Sequence, residues 1–438
     1  MPTAPLSRTA LLEDFLQYGR PPSDFLIGGE FERAVVRRNG APVRYDDPNG
    51  IRWILEQVRD GQPDWDGIYE DTNLIALVRP NAANVTLEPG GQVELSGAPH
   101  RTLSEVAAEL DENRSFLLQL AEGRDLQWTA CGLTPIAPIS SIGWMPKGRY
   151  AIMREYLPTQ GDLALWMMKG TCSVQANYDY ADETDCARKV RLCAGLAPLT
   201  TALFANSPLS ENKPTGFLST RGHVWTRTDP DRTGFPPGLR SDYGHERWVD
   251  YLLDVPMMFY RRGSEWLPAR GTSFREYMTQ GIEGHFPNWK DWDLHQTSVF
   301  PEVRIKRTIE VRGADCVSAD LSMAFCALFT GLLYCPSALE AGLALVDDIE
   351  RHGTRDQRLD VACRDGLGGT IDGGSLGEWA RELGTIAAEG LSRCMPNDRV
   401  MLDPLLARIE SGRSPALDIL EAWERDPSPE AVIRSVAY

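Results

Sequence analysis

Four short stretches of the chain set an apolar strand face against a face of carboxylate, amide or guanidinium groups. They run over residues 27–32, 86–94, 174–179 and 308–312. In a strand, residues two apart project to the same side. Glu30 thus stands beside Glu32, Gln175 beside Asn177 and Asp179, and Glu310 beside Arg312. The alternate residues Ile27, Phe31, Leu87, Val174, Ile309 and Val311 are apolar and suited to packing on helices. A wet face of an antiparallel sheet gives a similar alternation, but such faces mix their charges. These stretches hold the glutamates 30, 32, 88, 94 and 310 and no lysine. Like charges crowded on one surface repel unless a cation neutralises them. The pattern predicts a divalent-metal site at Glu30, Glu32, Glu88, Glu94 and Glu310, with a plain wet face as the competing account.

A chain of 438 residues can bury a large core and exceeds the usual size of one compact domain. Its net charge of −17 argues against nucleic-acid or anionic-membrane partners, which need a positive footprint. No apolar run is long enough to cross a bilayer, the longest candidate being 323–334. The start, Met1-Pro2-Thr3-Ala4-Pro5-Leu6, lacks the basic and apolar segments of an export signal, so a cytoplasmic location is expected. Nine cysteines without C-x-x-C or Cys/His spacing fit free thiols rather than a zinc site or a disulfide framework. Of six histidines, His223 and His295 are the candidates for chemistry, with a structural role as the competing reading.

Periodicity predicts helices over 7–20 (Ser7 as N-cap), 47–60, 103–122 (Thr102 or Ser104 as cap) and 183–205. A further helix follows Tyr150 and ends before Pro158. Strands are expected at 24–37, within 68–96, near 126–133 and 171–180, and at 308–312. The glycine- and proline-rich tract from Ser207 to Gly244 reads as long loops carrying Arg221, His223 and Trp225. Beyond residue 315 the chain reads as mostly helical, clearest at 375–391, 404–411 and 414–425. The sum is one α+β unit over 1–438, with a sheet-rich core at about 20–315 and a helical C-terminal portion at about 316–438.

Oxygen-rich sites hold magnesium, which usually arrives with phosphate. Arg149, Arg154, Arg221, Arg304, Lys306, Arg307 and Arg312 could meet such phosphates. For Lys306 and Arg307, surface solvation is the equal alternative. The chain has no P-loop, no G-x-G-x-x-G and no G-x-S-x-G elbow, so metal and arginine would have to hold phosphate.

Several motifs resemble plant-type glutamate–cysteine ligases. They are Gly28-Gly29-Glu30-Phe31-Glu32, residues 87–99 (LEPGGQVELSGAP), Met145-Pro146-Lys147-Gly148-Arg149-Tyr150, residues 202–208 (ALFANSP), Asp254-Val255-Pro256-Met257, Phe300-Pro301-Glu302-Val303-Arg304 and residues 310–315 (EVRGAD). They keep their order from about residue 20 to 335. The resemblance implies a glutamine-synthetase-like fold, a curved antiparallel sheet forming a funnel backed by helices. It implies ATP and Mg²⁺ as cofactors, glutamate and cysteine as small-molecule substrates, and a monomer or homodimer. In that family the glutamate γ-carboxylate attacks ATP to give γ-glutamyl phosphate, which the amine of cysteine displaces to make γ-glutamylcysteine for glutathione synthesis. Glu30, Glu32, Glu88, Glu94 and Glu310 then correspond to metal carboxylates. Arg221 would stabilise the transferring phosphoryl group or a substrate carboxylate, and Arg312 with Lys306 would contact the nucleotide phosphates. Gln175, Asn177, Trp225, Arg149 and Arg154 are the expected substrate-binding residues.

The chain departs from that pattern in three places. Gly29, Phe31 and Arg33 replace the Thr, His and Lys of Gly-Thr-Glu-His-Glu-Lys, and Phe31 and Arg33 fall on the face away from the glutamates. Cys316-Val317-Ser318-Ala319-Asp320-Leu321 replaces Gly-Gly-Pro-Trp-Arg-Arg after residue 315. Ala269 and Gly284 stand at the plant redox-cysteine pair, and Met323 stands opposite Cys172, so no disulfide switch of the plant kind is expected. A paralogous carboxylate–amine ligase using a different amine, and a silent nucleotide-binding protein, are the competing readings.

Overall fold

The computed structural model describes residues 6–236, 239 and 243–438. The start at 1–5, read above as lacking an export signal, and residues 237, 238 and 240–242 of the glycine- and proline-rich tract lie outside the described residues.

The centre of the molecule is a nine-stranded sheet. Its strands are β1 (Ile27–Val36), β2 (Asp66–Glu70), β3 (Asn73–Val78), β4 (Asn84–Leu87), β5 (Val93–Ser96), β6 (Gln127–Thr129), β7 (Ser173–Tyr178), Val303–Ile305 and Ile309–Asp315. From one edge the order is Val303–Ile305, Ile309–Asp315, β7, β1, β5, β4, β3, β2, with β6 paired to the end of β1. Every pairing is antiparallel.

Register follows from the alternation. Ile27, Phe31, Val174, Ile309 and Val311 are buried on the helical side of the sheet. Burying each such side chain contributes about 1.5–3 kcal/mol. A slip of one residue would turn them outward and drive glutamates into that layer. The helix Ala319–Tyr334, capped by Ser318, backs β7, whose Tyr178 hydroxyl donates to the Cys326 carbonyl at 2.9 Å. The helix Glu183–Leu203, capped by Asp182, backs Ile309–Asp315, and Leu103–Ala121, opened by a Thr102–Glu105 capping box, backs β1. Arg33 lies in the same layer, as its place in β1 requires. Its guanidinium donates to Cys316 Sγ (3.3 Å) and Ser322 Oγ (3.1 Å) beneath the ring of Tyr438.

Six further helices match the periodic pattern: Arg8–Leu16, Ile51–Gly61, Gly148–Tyr156, Leu376–Cys394, Asp403–Ser411 and Pro415–Arg425, whereas Ala164–Gly170, His245–Asp254, Phe274–Gln280 and Trp289–Gln296 were not expected. The first ends earlier than expected, before Gly19. The tract at 207–244 corrects the reading of plain loops. Among its described residues are paired short strands, Leu209–Ser210 with Lys213–Pro214, and a short helix, Thr220–Trp225. Arg221, His223 and Trp225 therefore sit on a helix whose N-cap is the Ser219 hydroxyl. Among the described residues no single helix is long and apolar enough to cross a membrane; Ala319–Tyr334 is buried and meets Pro336–Ile349 at 100°. The C-terminal portion returns to the sheet, where Tyr438 N–H donates to the Trp128 carbonyl at 3.0 Å.

Candidate active site

The polar face of the sheet stacks its functional groups in rungs set by strand register. Thr86, Glu94 and Glu32 lie across β4, β5 and β1. Asn84, Ser96, Glu30 and Gln175 form the next rung, and Gly28, Asn177, Glu310 and Arg304 the one after. The ladder between β7 and Ile309–Asp315 is interrupted between Val311 and Ala314. Such a bulge re-aims its side chains, and Arg312 reaches Gln175 and Glu310 from it.

This face opens onto a cavity of about 420 Å³. Its lining carries the carboxylates of Glu30, Glu32, Glu88 and Glu94, the cations Arg149, Arg304, Lys306 and Arg312, and the amide of Gln175. Tyr150, Met153, Met167, Trp225, Phe259 and Phe300 complete it. Glu88 is set by the tight turn that follows it. Gly91 N–H returns to the Glu88 carbonyl at 3.0 Å, and Gly91 takes a φ of +96° that glycine adopts freely. A side chain on Gly90 would strike the Lys169 backbone, so this turn packs directly against the end of the neighbouring helix Ala164–Gly170.

Three of the four carboxylates have a donor of their own. Asn177 Nδ2 donates to Glu30 (2.7 Å), Ser173 N–H and Gln175 Nε2 to Glu32 (2.6 and 3.1 Å), and Thr86 Oγ1 to Glu94 (2.7 Å). Burial and the charge of Glu310 raise the pKa of Glu30, while Arg304 and Arg312 oppose the rise. Burial and Glu88 push Glu32 up to about 7. Glu94 is raised well above the carboxylate range by burial and by Glu30, Glu88 and Glu32. Oxygen donors that repel one another in this way fit a hard divalent cation. Among the described residues, however, no three such side chains are already gathered closely enough to hold an ion, so the expected cage is not preassembled.

Several expected site residues lie elsewhere. Glu310 does not line the cavity. Burial opposes its charge, yet Arg304, Arg312 and Lys306 hold its pKa well below the carboxylate range. Arg304 grips it through Nε (2.9 Å) and Nη2 (2.8 Å), and Arg312 adds a third contact. Two buried guanidiniums thus take the role expected of a metal there. Arg221 stands one layer behind the wall, with Nη2 donating to the Arg312 carbonyl at 2.9 Å. Asn177 is likewise behind, joining Glu30 to Thr308. Arg154 points away and stacks on Trp144 at 5.5 Å, because five residues along a helix carry it round from Arg149. Asp179 lies beyond β7 and accepts from Leu26 N–H (2.7 Å) instead of joining the polar face. Arg307 is exposed beside Tyr18, unlike Lys306. His295 is a core residue whose Nε2 donates to the Leu252 carbonyl at 2.6 Å, and His223 stacks on Phe217 outside the cavity.

Tyr150 and Met153 were missed, although Met153 stands four residues from Arg149 on the same helix face and Tyr150 is its chain neighbour. Phe259 and Phe300 come from segments with no strong periodicity; Phe300 opens one of the resemblance motifs, whereas no local signal marks Phe259.

A sequence profile described as glutamate-cysteine ligase family 2 matches residues 26–437. Over 439 residues the chain is 37% identical to glutamate–cysteine ligase B, chloroplastic, of Oryza sativa subsp. japonica, covering 98% of this chain and 87% of that protein. Over 450 residues it is 36% identical to glutamate–cysteine ligase, chloroplastic, of Arabidopsis thaliana, covering 100% and 84% respectively. A solved structure of glutamate–cysteine ligase from Francisella tularensis in complex with AMP is similar in fold. Its TM-score is 0.57 at 14% identity, covering 94% of this chain and 87% of that one. The expected cytoplasmic location is corrected by these names, since relatives at this identity are chloroplastic proteins.

Proposed function

The chain belongs to glutamate–cysteine ligase family 2, and from that premise we propose that it uses ATP to join the γ-carboxylate of glutamate to the amine of cysteine. The observation that carries this reading is one cavity lined both by the carboxylates Glu30, Glu32, Glu88 and Glu94 and by the cations Arg149, Arg304, Lys306 and Arg312.

A carboxylate is a poor electrophile at neutral pH, so amide formation needs it converted to an acyl phosphate. Phosphoryl transfer is in turn governed by positioning and by neutralisation of charge on the phosphate oxygens. Arg312 and Lys306 would supply positive charge in the cavity lining. Arg304 also faces the cavity but is committed to Glu310, so it holds Arg312 in register more than it meets phosphate. Glu30, Glu32, Glu88 and Glu94 would hold Mg²⁺, whose chemistry is to neutralise charge on bound phosphate. Arg149, in the cavity lining beside Tyr150, would take a substrate carboxylate, and Gln175 would orient it by hydrogen bonding. Trp225, Phe259 and Phe300 would exclude water, protecting the acyl phosphate from hydrolysis.

Purified protein given glutamate, ATP, Mg²⁺ and a panel of amines tests the reading, with phosphate release and product mass as readouts. Turnover with cysteine and a γ-glutamylcysteine product are expected. Turnover with another amine and none with cysteine would overturn the acceptor assignment.

A further inference from the structure

One buried carboxylate outside the cavity is bonded to two separate segments behind the Arg312 bulge. Asp315, the last residue of its strand, is 1% exposed. Its Oδ2 accepts from Asn206 N–H (2.8 Å) and Ser207 Oγ (2.6 Å), and its Oδ1 from Ser219 Oγ (2.8 Å). Arg221 Nη1 stands 4.0 Å from the same Oδ1. The two serines pass the connection on, Ser207 Oγ accepting from Arg221 N–H and Ser219 Oγ from Gly222 N–H, both at 3.0 Å. Ser219 is the N-cap of the helix that presents Trp225 to the cavity. Room for the carboxylate comes from Gly132, where any side chain would meet it. The Arg221 guanidinium then returns to the bulge by its bond to the Arg312 carbonyl.

We propose that Asp315 is a positioning residue for the reaction, acting through Arg221 to hold the Arg312 bulge and the Trp225 helix in place against the cavity. This rests on the ligase reading above. A neutral amide would keep the size but not both acceptors, because its NH2 group cannot accept from the Ser219 hydroxyl, so loss of melting temperature with kcat unchanged is what a simpler fold-holding role would give. The charge is used by Arg221, whose side chain is as buried as Asp315 and has this carboxylate as its ion-pair partner. Arg221 in turn extends a positive field to Glu32.

The test is a double-variant cycle of Asp315→Asn and Arg221→Lys, with kcat and KM for glutamate and for ATP measured on each protein and thermal melting measured alongside. Displacing a catalytic group by about 1 Å can cost about 10²-fold in rate. Asp315→Asn is therefore expected to lower kcat by about that factor with KM nearly unchanged. The double variant should be no slower than the slower single variant, since both act through one contact. Multiplied losses, or a melting shift with kcat unchanged, would overturn the proposal. If Asp315→Asn does not fold, Ser219→Ala takes its place in the same cycle and the same outcomes decide. Absence of turnover in the unsubstituted protein would count against the ligase reading instead.

Discussion

Glu32 on β1 stands directly across from Glu94 on β5, a like-charge pair facing one cavity with Glu88 beside it. Cross-strand neighbours of the same sign destabilise a sheet, and the Mg²⁺ proposed above, shared by the pair, would offset that cost. Mg²⁺ should therefore raise the melting temperature of the protein in the absence of nucleotide. Glu32→Gln and Glu94→Gln should each shrink that rise and cut turnover by about 10²–10³-fold, the usual cost of losing one charge-stabilising group. A melting temperature that does not respond to Mg²⁺ would remove the metal assignment.

Glu310 makes the opposite prediction from Glu94, though both lie on the polar face. Glu310 is held by Arg304 and Arg312 in a buried cluster, and removing one member of such a cluster costs about 3–5 kcal/mol. Glu310→Gln should destabilise the fold markedly. Glu94→Gln, which relieves repulsion, should leave stability equal or higher in Mg²⁺-free buffer. Denaturant unfolding of the two variants side by side checks the contrast; equal losses would refute it.

His295 should make the fold sensitive to mild acid. Burial holds its ring neutral and lowers its pKa to about 4 from 6.5, with Arg232 adding to the effect and the Leu252 carbonyl opposing it. The unfolded chain therefore binds this proton first as pH falls. The stabilisation is complete above pH 6.5 and drains away down to about 4. The shift corresponds to roughly 3 kcal/mol. His295→Gln, which keeps a donor for the carbonyl, should flatten the fall of the denaturation midpoint over that range. A slope unchanged by the substitution would assign the acid sensitivity to other groups.

What the sequence disclosed was whatever depends on period. The two-residue alternation around Glu30, Gln175 and Glu310 located three neighbouring strands, and the spacing of Leu103, Val106 and Leu110 located the helix behind β1. Which carboxylates share a cavity depends instead on pairings between strands far apart in the chain, such as Glu30 with both Ser96 and Gln175. The capture of Glu310 by Arg304 comes instead from a local hairpin pairing. It looked like a metal ligand because alternation reports the face and not the partner. Arg221 was placed on a loop because glycine and proline dominate its neighbourhood, while the six-residue helix that carries it is held by a tertiary cap reaching Asp315.

Arg149 and Arg154 separate a residue at the site from one that only resembles it. Both belong to the helix Gly148–Tyr156. Arg149 lines the cavity beside Tyr150, whereas Arg154 lies on another face over Trp144, which it shares with Lys169. Removing Arg149 takes away a positive charge where a substrate carboxylate would bind, and a hydrogen bond to a charged group is worth about 1.5–3 kcal/mol. Arg149→Ala should therefore raise KM for glutamate by about 10–100-fold, since each 1.4 kcal/mol is tenfold. Arg154→Ala removes only a stacked side chain near the surface, so KM should stay within about twofold and stability should fall by about 0.5–1 kcal/mol at most. Steady-state kinetics on the two variants distinguishes them, and a larger KM change in Arg154→Ala than in Arg149→Ala would reverse the assignment of the helix faces.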